Sequence, residues 1–170
     1  AFLRDDNTFD SDSFTAAVEI VITAMDISIC FADFPTEPIA QNTRDFRQLG
    51  IGYANLGALL MATGHAYDSD GGRALAAAIT SLLTAVSYRR SAELAAVVGP
   101  YAGYARNASA HERVMRMHAA ANEALLPIGA MDASIHSRAA QEWSRGISIG
   151  VTDGWRNAQA SVLAPTGTIG

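Results

Sequence analysis

The sequence predicts a mainly α fold with at most a few short strands. Apolar residues recur at steps of three and four through most of the chain, capping residues stand just ahead of these runs, and no series of strands can be read from the pattern. At 170 residues the chain is one domain in size, long enough to bury roughly 70% of the surface its unfolded form exposes.

Asp10, Asp12 and Ser13 offer caps for the first helix, in which Phe14, Val18, Val21, Ile22, Met25 and Ile29 make a surface apolar nearly all round. Pro35 and Pro38 interrupt it, and Thr36 is placed to cap a shorter helix to about Arg47. Leu49 to Leu56, with Gly50 and Gly52, reads as a turn or short strand before a helix that passes through Met61 and stops near Gly64. A strong helix starts at Asp68 or Ser69 and sets Leu75, Ile79, Leu82, Leu83 and Val86 on one face. Ser91 restarts a helix that Gly99-Pro100 ends, because proline cannot continue the ladder. Ser109-Ala110-His111-Glu112 has the form of a capping box, followed by a face of Val114, Met117, Ala121 and Leu125. The last helix covers roughly Ser134 to Arg145. Glycines from Gly146 onward break the period, and Ala160 to Leu163 reads as a short strand.

Composition narrows the function. The apolar fraction is ordinary at 49%, but charged residues make up 17%, below the usual quarter or so. Too few charges remain to coat a free-standing surface, so contact with another domain or chain is expected. Phe14, Val18 and Ile22, or Leu75, Ile79 and Leu83, are candidate faces for self-association. A net charge of −5 and scattered arginines, with no lysine at all, exclude a nucleic-acid stripe. Glu19, Asp26 and Asp33 make the longest apolar stretch too polar for a membrane span, and the acidic start does not resemble a signal peptide. A cytoplasmic address is expected. The single Cys30 excludes an internal disulfide framework and is compatible with a reducing compartment.

Most motif-like runs have plain explanations. Gly146-Ile147-Ser148-Ile149-Gly150 has the spacing of a nucleophile elbow, but a helix precedes it and the last histidine, His136, comes before Ser148; a loop is the expected reading. Gly50-Ile51-Gly52 opens like a dinucleotide fingerprint, yet the next glycine is Gly57, so the spacing fails. His111 and His118 fall seven residues apart and would approach a metal only with Glu112 or Asp132; two exposed histidines are expected instead. The acidic run from Asp5 to Asp12 lacks the glycine and glutamate of a calcium loop. Cys30, among Ile27, Ile29 and Phe31, has no cation nearby in sequence, and packing is its expected role. The end of the chain differs. Small residues, Gly167 and the hydroxyls of Thr166 and Thr168 make Leu163 to Gly170 a possible nest of backbone amides, able to hold a phosphate without lysine.

The run from Arg156 to Gly170, with Ala164-Pro165-Thr166-Gly167-Thr168-Ile169 at its end, resembles the substrate-phosphate loop region of the adenosylcobalamin-dependent, or class II, ribonucleotide reductases. Leu49 to Met61 with Tyr67-Asp68-Ser69, and Ser91 to Ala95 with Gly99-Pro100-Tyr101, are similar to the same family in the same order. The resemblance implies a helical segment excised from a ten-stranded α/β barrel. In that barrel a cysteine thiyl radical, generated through the cobalt–carbon bond of vitamin B12, abstracts hydrogen from the ribose, and a cysteine pair supplies electrons.

By the same resemblance residues 1–170 are one helical fragment of the catalytic barrel, residues 160–170 are the phosphate-loop region, and Pro165, Thr166, Gly167, Thr168 and Ile169 bind the substrate phosphate. The finger motif that carries the radical cysteine is absent, and one cysteine cannot form a redox pair. No catalytic residue, metal ligand or bound cofactor is therefore expected in this chain, which should be inactive alone. Adenosylcobalamin, the ribonucleotide and the remaining segments are partners of the parent enzyme. The chain stops inside its most functional loop, so its bounds are expected to be an engineered excision or the edges of inteins. A non-enzymatic helical interaction module is the alternative function.

Overall fold

The computed structural model describes residues 1–164. Six helices carry it: α1 (Ser11–Ile29), α2 (Glu37–Phe46), α3 (Leu56–Ala62), α4 (Asp70–Val98), α5 (Tyr104–Glu123) and α6 (Ala130–Asp153). Among the described residues extended chain forms isolated bridges, Leu3 with Phe9 and Ile51 with Ser161, rather than strands. The mainly helical expectation holds.

Side-chain caps explain where three of the six helices start. The Asp10 carboxylate accepts the Ser13 N–H at 3.0 Å, and the Ser69 hydroxyl accepts that of Gly72 at 3.0 Å. Asp132 closes the first turn of α6 by accepting from Ile128 and Gly129. Thr36 is the N-cap residue of α2, with its side chain making no capping bond.

Boundaries differ from the sequence reading at three helices. α4 is one helix through Ser91, because the Ser91 hydroxyl is bonded to Asn157 and does not cap. α5 starts at Tyr104, so the box-like Ser109 to Glu112 lies inside it. α6 continues to Asp153, and Gly146-Ile147-Ser148-Ile149-Gly150 is helical rather than a loop. A Cβ at Gly146 would meet Arg89 Cα at 3.0 Å, and one at Gly150 would overlap the Trp155 indole. Close packing thus outweighs the helix cost of about 1 kcal/mol that each glycine carries. The inward face of α5 is also different: His111, Met115 and Asn122 are buried, while Val114 and Met117 are exposed. The polar residues are only partly paired inside: the Ser81 hydroxyl donates to Asn122 Oδ1 at 2.6 Å and the Tyr101 hydroxyl meets His111 Nδ1, while Asn122 Nδ2 and His111 Nε2 have no partner among the described residues.

α4 is the axis of the core. Phe14 and Ile79 line one groove, Glu19 pairs with Arg89, and Thr23 meets Arg90, so α1 runs parallel to α4. The Trp143–Ser81 bond and the Gly146–Arg89 contact set α6 parallel as well, while α5 returns antiparallel, with Asn122 at Ser81 and His111 at Tyr88. Leu75, Leu82, Leu83, Val86 and Ile135 fill the space between, each contributing about 1.5–3 kcal/mol by burial. Phe14, Val18, Ile22, Leu75, Ile79 and Leu83 are all 5% exposed or less. They are core residues, which corrects their reading as self-association faces: each finds its apolar partner within the chain.

Candidate functional site

The chain leaves α6 at Gly154 and enters a segment held on every side. Trp155 is buried against His111, ring centroids 4.7 Å apart and nearly parallel, and its carbonyl accepts the Tyr101 N–H at 3.0 Å. The backbone N–H of Arg156 reaches the Ser91 carbonyl at 3.0 Å. Asn157 follows with no exposed surface. Its Nδ2 donates to Asp26 Oδ1 at 2.8 Å and to the Arg47 carbonyl at 3.0 Å. Ser91 Oγ donates to Asn157 Oδ1 at 2.8 Å and accepts the Asn157 N–H at 2.9 Å. Every bonding group of this asparagine side chain is engaged, which is what its burial requires.

Asp26 sits on α1 one turn beyond Ile22, continuing the inward stripe Phe14, Val18, Ile22. It also accepts from Arg47 Nε at 2.9 Å and from Arg156 Nε at 3.4 Å, while Arg47 Nη2 reaches the Asp26 carbonyl at 2.7 Å. Two guanidiniums on one buried carboxylate offset the desolvation that would otherwise make it costly. Burial alone would lower the Arg47 pKa, but hydrogen bonds to Asp26 and Cys30 outweigh it and the net shift is upward. Arg47 closes α2 in the left-handed region, φ 46°, the turn that presents both its side chain and its carbonyl to this network.

Beyond Asn157 the chain runs beside residues 49–52. The N–H groups of Leu49 and Ile51 donate to the carbonyls of Gln159 and Ala160, at 2.8 and 3.0 Å, and the Val162 N–H donates to the Ile51 carbonyl at 2.9 Å. The glycines of Gly50-Ile51-Gly52 allow this approach. A Cβ at Gly50 would meet Val162 Cγ1 at 2.8 Å, and one at Gly52 would meet the Val162 carbonyl oxygen at 2.8 Å. The expected strand at residues 160–163 is therefore a single parallel bridge at Ser161.

The expected phosphate-binding residues, Pro165, Thr166, Gly167, Thr168 and Ile169, lie outside the described residues. Cys30 is exposed, and Arg47 Nη2 donates to its Sγ at 3.7 Å. The cation missing nearby in sequence comes from α2. His111 is buried, not exposed, with its Nδ1 3.3 Å from the Tyr101 hydroxyl, and burial lowers its pKa from the usual 6.5 to about 4. His118 stacks on Tyr88 and Trp143, also with a lowered pKa from burial. The Asp132 carboxylate is occupied at the start of α6. Among the described residues no three His, Cys, Asp or Glu side chains are grouped to hold a metal.

Sequence reasoning missed Asp26, Arg47, Ser91 and Asn157 as a unit. The position of Asp26 was readable, since it continues an apolar stripe at four-residue steps. Its partners lie 21 and 131 residues away and carry no local signal.

Residues 1–170 match the family described as "Ribonucleotide reductase, barrel domain". Proteins named vitamin B12-dependent ribonucleotide reductase are similar across nearly the whole chain. Those of Streptantibioticus cattleyicolor and Streptomyces clavuligerus are each 65% identical over 99% of this chain, which covers 30% and 18% of their respective lengths. That of Rhodopirellula baltica is 44% identical over 99% of this chain and 16% of its own length. The chain thus spans less than a third of each of these relatives.

Proposed function

The chain belongs to the ribonucleotide reductase barrel-domain family, and we propose that it is the part of a vitamin B12-dependent reductase that carries the substrate-phosphate loop. The parent enzyme converts ribonucleotides to 2′-deoxyribonucleotides for DNA synthesis. The observation that carries this reading is the 65% identity to reductases of that name over 99% of the chain. The loop comprises residues 160–170, with Pro165, Thr166, Gly167, Thr168 and Ile169 on the phosphate. Backbone amides and two hydroxyls suit an anion at a site without lysine. The close pairing of residues 159–162 with 49–51 supports it, because a loop that positions substrate needs a fixed base.

Adenosylcobalamin, when bound in the parent, would supply the radical that starts reduction at the ribose. We assign no cofactor contact to the described residues. The groove between the start of the chain and α3 has a volume of about 310 Å³ and is lined largely by Phe2, Phe9, Phe14, Leu56 and Ile79. Segments of the parent outside this chain are proposed to hold it and to bring the radical cysteine and the redox pair. Cys30 has no catalytic role in this reading: it is exposed at the end of α1. The isolated chain should form no deoxynucleotide above a boiled control when given adenosylcobalamin, ribonucleotide and a dithiol.

The remaining barrel segments and the ribonucleotide are the proposed partners. Ile20, Ile27, Phe31 and Val97, all exposed, are the face proposed to meet those segments. Among the described residues no helix is long and apolar enough to cross a membrane.

Substitution in the intact parent tests the loop. Gly167→Val opposes a left-handed turn and fills space beside the phosphate, so it should impair turnover and apparent substrate affinity far more than Thr166→Ser. An unchanged rate and KM in Gly167→Val would remove the assignment.

A further inference from the structure

Three side chains with little or no exposed surface, Asp26, Ser91 and Asn157, are spent on one short segment of irregular chain. Apolar residues of similar volume would hold helices together as well or better, since a buried polar network gains little stability over a packed apolar one. What such a network does supply is a single geometry. Asn157 bonds α1 through Asp26, the end of α2 through the Arg47 carbonyl and the middle of α4 through Ser91. It thereby fixes the segment to three elements at its first extended residues.

Register follows from that fixing. The bonds of Leu49 and Ile51 to Gln159 and Ala160, and of Val162 to Ile51, begin two residues after Asn157. A slip of one residue would turn Ser161 away from the Thr84 hydroxyl, 3.2 Å from its own, and press a side chain where Gly50 and Gly52 leave room for none. From Val162 to Pro165 is three residues of chain, a reach of at most about 11 Å.

We propose that Asn157, clamped by Asp26, the Arg47 carbonyl and Ser91, is a positioning residue that sets where the phosphate loop stands and hence where the nucleotide is held. This rests on the phosphate-loop reading of residues 165–169. Asn157 touches no substrate in this scheme and acts through residues 159–162.

The test uses the intact parent enzyme, steady-state kinetics with the ribonucleotide, and four variants. Asn157→Ala and Ser91→Ala should lower kcat/KM about ten- to a hundredfold, the order of loss in rate that a misplacement near 1 Å brings, with KM raised. Ile135→Val, in the core away from the segment, lowers melting temperature without this effect and should leave KM unchanged. Gly167→Val reports on the loop itself. If Gly167→Val raises KM while Asn157→Ala and Ser91→Ala do not, positioning by Asn157 is refuted and the loop reading stands. A KM rise of equal size in Ile135→Val also refutes it, because the effect would then be general loosening. If Gly167→Val leaves KM unchanged, the loop reading falls and this inference with it. Should Asn157→Ala fail to fold, Ser91→Ala, which removes a single hydroxyl, decides alone.

Discussion

A methyl group at Gly52 would stand 2.8 Å from a carbonyl oxygen that belongs to the backbone of Val162 and cannot swing aside. Gly52→Ala is therefore expected to cost about 1–3 kcal/mol, the usual penalty of overpacking. Gly57, inside α3 with no atom within 4 Å of its missing Cβ and no positive φ, is the contrasting case. Gly57→Ala should stabilise by about 0.5–1 kcal/mol. Urea denaturation of the two variants gives opposite shifts, and shifts of the same sign would contradict the packing described for residues 50–52. His111 gives a pH signature at the same scale. Its folded pKa of about 4 lies below the usual 6.5, so between those values the unfolded chain binds more protons. Its contribution is complete above pH 6.5 and is lost as pH falls toward 4, by about 3 kcal/mol at most. His111→Phe keeps an aromatic ring beside Trp155 and should flatten that part of the stability curve, measured by denaturation between pH 7 and 4.5. An unchanged slope would mean that another group titrates there.

Between helices the decisive contact is Arg89 on α4. Its guanidinium pairs with Glu19 of α1, Glu93 of α4 and Glu142 of α6, and the side chains of Arg89 and Glu142 are 3% and 1% exposed. Arg89→Met leaves Glu142 buried with only the outer arginines, Arg138 and Arg145, near it. A loss of about 3–5 kcal/mol is expected, and Arg89→Met with Glu142→Met should recover most of it. A single variant within 1 kcal/mol of the parent chain in urea, a bound set well under that range, would show the cluster to be unimportant. The same helices show what was legible in the sequence. Local signals worked where one residue decides: Asp10 and Ser69 cap, and Gly99 ends α4. They failed where a distant residue decides. Ser91 looks like a cap until Asn157 takes its hydroxyl, and Gly150 looks like a breaker until Trp155 packs on it. Of the candidate site, Gly50-Ile51-Gly52 was legible as a glycine-rich run, while the expected terminal loop lies outside the described residues. The network beneath that run was not legible, because Asp26, Arg47, Ser91 and Asn157 meet only in the folded chain.

The whole molecule combines few charges with large apolar side chains left outside the core. Ile20 is 70% exposed, Phe31 80% and Val97 82%, and none belongs to the sets that the sequence offered as association faces. The proposed parent places this face against other barrel segments; the isolated chain has water there instead, which favours self-association by burial of apolar surface. Association should therefore appear at high micromolar concentration in sedimentation, accompanied by binding of a hydrophobic dye. Ile20→Glu with Phe31→Ser should shift the chain toward monomer and change stability by no more than about 0.5 kcal/mol, as expected of exposed positions. Ile22→Glu places a charge at a position with no exposed surface and should unfold the chain rather than disperse it. The three results separate an outward face from the core: a clean monomer without dye binding removes the association, and an equal stability loss in both kinds of variant removes the distinction between Ile20 and Ile22.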